Sequence, residues 1–125
     1  MVAVDTNILV RFIVQDDPVL TQRATEIIEN AELNSLLLDR LILCELDYVL
    51  GSLYHFEKAD RFVILKSLVN DERYNIPNRE LVEQTVALFA SEKPLSFEDC
   101  WLLALKRAGK VKSVATFDAN LAKRA

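Results

Sequence analysis

The chain has 125 residues, 51% of them apolar, with 2 Gly, 3 Pro and a formal net charge of −4. That balance excludes a disordered or fibrous chain, and at this length one core forms without disulfide or zinc staples. No apolar run approaches the roughly 18 residues of a membrane span, and Met1–Asp5 carries no basic leader pattern. Cys44 and Cys100 form no CxxC pair and His55 is the lone histidine, so a zinc site of the His/Cys kind is excluded and free thiols in a reducing, cytoplasmic setting are expected.

In chain order, Val2–Val4 reads as a short buried strand. Ile8, Leu9, Phe12 and Ile13 have helical spacing and predict a helix over Thr6–Val14. Asp16-Asp17-Pro18 interrupts it, with Pro18 suited to the first turn of a second helix reaching about Leu33. Leu36–Leu38 is a second strand. A third helix runs from Asp39 to about Tyr54 and a fourth from Glu57 to about Asp71. Tyr74–Ile76 is a third strand, and Pro77-Asn78 opens a fifth helix to about Ser91. Ser96 caps a sixth helix that Gly109 ends as a glycine just past the last turn. Val111–Thr116 reads as the last strand, and Asp118 opens a short final helix. Strands alternating with helices predict a single α/β domain over residues 1–125 with a parallel sheet, whose site lies outside the carboxyl ends of the strands.

Four carboxylates stand out. Asp5 ends the first strand, Asp118 follows the last, and Asp99 opens the sixth helix; each also has the position of a helix cap. Glu45 has Leu41, Ile42, Tyr48 and Val49 as helical neighbours, which predicts that it faces the core and needs a metal or a cation. Asp47 is its rival, in a looser setting beside Cys44 and Gly51. An acid cluster without His or Cys favours hard cations, Mg²⁺ or Mn²⁺, which suit phosphodiester chemistry. The negative net charge argues against general affinity for nucleic acid. Beyond Asp99, however, the basic residues Lys106, Arg107, Lys110, Lys112, Lys123 and Arg124 face Asp118 alone, forming either a phosphate-binding patch or a solvated helix end.

The segments Val4-Asp5-Thr6-Asn7, Glu45, Phe97-Glu98-Asp99 and Thr116-Phe117-Asp118-Ala119-Asn120 resemble, in order and over the whole chain, the PIN-domain family, and within it the VapC-type toxins of toxin–antitoxin pairs. The resemblance implies a Rossmann-like fold, a short parallel sheet of about four to five strands flanked by about seven helices. It implies Mg²⁺- or Mn²⁺-dependent RNA cleavage, with Asp5, Glu45, Asp99 and Asp118 holding metal, Thr116 acting through its hydroxyl, and Asn7 and Asn120 supporting the site. Lys106, Arg107, Lys110 and Lys112 would hold RNA. A homodimer and a cognate antitoxin are implied as partners. Many relatives carry an acid where this chain has Asn120, and often Ala where it has Cys100. A DNA nuclease of related fold and a non-catalytic interaction module, its acids serving only as caps, are the competing readings.

Overall fold

Residues 1–125, described by a computed structural model, form three short strands and seven helices. The order is β1 (Val2–Ala3), α1 (Thr6–Val14), α2 (Pro18–Glu29), β2 (Leu36–Leu37), α3 (Arg40–Ser52), α4 (Lys58–Asn70), β3 (Tyr74–Asn75), α5 (Arg79–Ser91), α6 (Phe97–Arg107) and α7 (Ala119–Arg124). The sheet is parallel, in the order β1-β2-β3, with Val2 opposite Leu36 and Leu36 opposite Tyr74. Parallel pairing requires long crossovers, and each is a pair of helices: α1 and α2 between the first two strands, α3 and α4 between the next two.

The sheet has three strands rather than four to five. Residues 111–116 take no regular structure and donate no backbone hydrogen bond to a strand. Their apolar residues explain this. Val111 and Val114 are three apart, so a strand would turn them to opposite faces, and Lys112 and Ser113 break the continuous apolar run that a buried parallel strand shows.

The core is one cluster of 23 buried residues drawn from the sheet and helices. Phe89 of α5 and Phe97 of α6 meet edge to face, with ring centroids 5.9 Å apart. Helix α6 ends as its sequence indicates, with Gly109 in the left-handed region at φ 73°. Burial pushes the Cys44 and Cys100 thiols up to about 11 and about 12, so both stay protonated in the folded protein at neutral pH.

One buried ion pair joins three helices. The Asp47 side chain, 8% exposed, accepts from Arg61 Nε of α4 at 2.7 Å and from the Phe97 backbone N–H at the start of α6 at 3.4 Å. Arg61 Nη1 donates in turn to the Phe56 carbonyl at 2.6 Å. Gly51 makes room for this guanidinium, since a Cβ there would lie 2.9 Å from Nη1. Removing the carboxylate strands a partly buried cation and leaves a helix N–H unpaired. Asp47→Ala therefore lowers stability by about 3 kcal/mol, seen in urea unfolding as a lower midpoint at unchanged slope. A midpoint equal to that of the wild type would mean that the pair contributes nothing.

Candidate active site

The carboxyl edge of the sheet is built by a repeated local pattern: a strand, a buried residue, an Asp and a helix. Asp5 follows β1 by two residues and caps α1; Asp39 follows β2 by two residues and caps α3. Because Ala3 pairs with Leu37, continuing the register sets Asp5 level with Asp39 on the neighbouring strand. Asp39 is the residue that the sequence reading passed over, although the signal was present in Leu38-Asp39-Arg40 as it was in Val4-Asp5-Thr6.

Each Asp here serves as a cap through one oxygen. Asp5 Oδ1 accepts the Thr6 N–H at 2.8 Å, Asp39 Oδ1 the Leu41 N–H at 2.9 Å and Asp118 Oδ1 the Leu121 N–H at 2.8 Å. Asp99 completes a capping box: its Oδ2 accepts the Ser96 N–H at 3.3 Å while its own N–H donates to Ser96 Oγ at 3.1 Å. The second oxygen of each carboxylate makes no hydrogen bond within the protein. The cap and the ligand roles therefore do not compete for the same atom. None of Asp5, Glu45, Asp99 and Asp118 belongs to any of the four ion pairs, which use Asp16, Asp47, Asp71 and Glu92. Helix N-termini carry partial positive charge, which makes Asp5, Asp99 and Asp118 tolerable without cationic partners, and Glu45 is exposed to solvent.

Glu45 is exposed, contrary to the expectation that it faces the core. The buried face of α3 is Leu43, Leu46, Asp47 and Leu50, which turns Glu45 outward together with Leu41 and Tyr48. Those two residues, about 70% exposed, gave Glu45 its apolar surroundings without placing it inside. The acid that is buried and held by a cation is Asp47.

Asp118 is not aimed by a fourth strand. The Thr116 hydroxyl accepts the Asp118 N–H at 3.0 Å, and buried Leu121 docks α7 on the core. Asn7 and Asn120 are exposed, each in the first turn of its helix. The Thr6 hydroxyl, next to Asp5, is buried and has no partner.

Of the basic residues, Lys106 is half-buried, with its ammonium against the Ala125 carbonyl. Arg107, Lys110 and Lys112 are exposed. Arg107 lies eight residues beyond Asp99, about 12 Å along α6. A surface hollow of about 530 Å³ between α4 and α5 is lined by Lys58, Phe62, Val63 and Phe89 and by none of the candidate acids.

The donor set suits a hard divalent ion, being oxygen throughout, with a free second oxygen on each capping Asp and an orphaned buried hydroxyl at Thr6. The side chains as placed do not bring three His, Cys, Asp or Glu groups within reach of one ion.

The PIN domain family model matches residues 2–125, and the chain belongs to that family. It is similar to a VapC ribonuclease of Aquifex aeolicus (strain VF5), 23% identical over 120 residues that cover 94% of this chain and 87% of that protein. No solved structure matches the chain. No helix is long and apolar enough to cross a membrane.

Capping and charge separate experimentally. Asn is as good a cap as Asp, so Asp118→Asn leaves thermal stability nearly unchanged, whereas Asp118→Ala lowers it by about 1 kcal/mol. Melting curves of both variants read the difference; equal losses would mean that the charge, not the cap, holds α7.

Proposed function

We propose that this protein is a divalent-metal-dependent endoribonuclease, the toxin of a VapBC-type pair. The observation that carries the reading is the set of acids at helix starts, each with one oxygen on its cap and the other free, and none offset by a basic side chain. Membership of the PIN family and the similarity to a VapC ribonuclease support it.

Asp5, Asp99 and Asp118 would hold Mg²⁺ or Mn²⁺ through their free oxygens, with Glu45 as a further ligand or as the group that orients the attacking water. Asn7 and Asn120 would support that shell. The bound ion supplies positive charge against the phosphodiester oxygens and polarises water. Thr116 fixes the Asp118 backbone, and thereby the direction of its carboxylate. A water bound between the Thr6 hydroxyl and this shell would satisfy the orphaned donor. Arg107, Lys110 and Lys112 would track the RNA backbone beyond the cleaved bond. A homodimer, a cytoplasmic setting and an antitoxin partner complete the proposal.

The test is cleavage of an end-labelled structured RNA and of a DNA of the same sequence, in Mg²⁺, in Mn²⁺ and in EDTA. Metal-dependent cutting of RNA that falls at least about 100-fold in Asp99→Asn, at unchanged melting temperature, is the expected result. Cutting in EDTA, or cutting that survives the substitution, would contradict it.

A further inference from the structure

We propose that Arg40, held over the ring of Trp101, binds a phosphate of the nucleic-acid backbone beside the acidic site; the inference rests on the nuclease reading above. The guanidinium carbon lies 4.5 Å from the ring centroid. Trp101 is 9% exposed, so the surface against which Arg40 rests is fixed in the core. Arg40 is half-buried, takes part in none of the four ion pairs and donates no hydrogen bond within the protein. Most other arginines are used structurally: Arg11, Arg61, Arg73 and Arg124 pair with acids, and Arg79 donates to the carbonyls of Val69 and Tyr74.

Position gives the free donors a purpose. Arg40 follows Asp39, which the strand register sets level with Asp5. It precedes Glu45 by five residues, about 7.5 Å of helix rise, and Trp101 follows Asp99 by two, about 3 Å. The contact therefore joins the first turn of α3, beside Asp39 at the carboxyl edge of the sheet, to α6. An edge made only of carboxylates repels a phosphodiester, and the basic residues at the far end of α6 lie about 12 Å from Asp99. A guanidinium is a planar fork that matches two phosphate oxygens, and a stacked one loses little freedom when it engages them. The attraction of a guanidinium to an indole face holds the plane of Arg40 and leaves its edge N–H donors free to engage an anion.

The test is binding of a fluorescein-labelled 12-nucleotide RNA in EDTA over a range of salt. It compares wild type, Arg40→Met, which still covers Trp101, and Arg40→Lys, which keeps the charge. One lost phosphate contact on a single strand lowers the slope of log K against log salt by about 0.7, so Arg40→Met weakens binding about fivefold at 0.1 M salt. Arg40→Lys keeps most of the slope. Trp101 is the only tryptophan, so RNA alters the intrinsic emission of the wild type and not that of Arg40→Met. An unchanged slope and emission response in an Arg40→Met protein that melts like the wild type would overturn the proposal. Wild type that binds with the expected slope yet cleaves no RNA in either metal would instead remove the nuclease reading and leave the phosphate contact standing.

Discussion

The Asp47 carboxylate is where three helices are pinned together. It meets the Arg61 guanidinium from α4 and the first backbone N–H of α6, while sitting on the buried face of α3. Taking both charges out of water is costly, and an apolar pair of similar volume would do as well for stability alone. What an apolar pair would not supply is direction. The acceptor for Phe97 N–H and the donor to the Phe56 carbonyl set where α6 begins and where the loop after α3 closes. Asp99 lies two residues beyond that anchored N–H, so the anchor fixes the helix turn from which its carboxylate projects.

The candidate site follows from an economy of oxygen atoms. A helix start needs an acceptor, and Asp is a favoured one. A carboxylate has two oxygens, and capping takes only one. At α1, α3 and α7 an Asp ends the chain's approach as the cap, and at α6 Asp99 completes the capping box with Ser96; each keeps a second oxygen without a hydrogen bond in the protein. The partial positive charge of each helix start compensates the acid locally, which is why these carboxylates do without salt bridges while Asp16, Asp47, Asp71 and Glu92 have them. The same economy applies to Arg40, whose face is used by Trp101 and whose edge is not.

The features that local chemistry determines were legible. The bounds of α1, the caps at Asp5, Ser96 and Asp118, and the glycine after α6 all depend on neighbours within a few residues, and all stand as read. Features set by long-range packing were not. Glu45 and Asp47 are two residues apart with apolar neighbours on both sides, and only the position of Arg61 and Phe97 decides which one is inside. Leu41 and Tyr48 looked like core residues by type and are surface residues by phase. Val111–Thr116 has strand-like residues but the wrong spacing, and α2 stops at Glu29, short of the expected Leu33, because Asn30 and Ala31 close its last turn.

If the free carboxylate oxygens are kept for a divalent ion, the melting temperature must register it, measured with Mn²⁺ and with EDTA in wild type and in Asp5→Asn. Mn²⁺ is expected to raise the wild-type value as its concentration passes the dissociation constant, while Asp5→Asn, still capped, melts like the metal-free wild type and no longer responds. A wild type indifferent to Mn²⁺, together with an Asp5→Asn variant that melts markedly lower in EDTA, would show that these acids serve the helices alone.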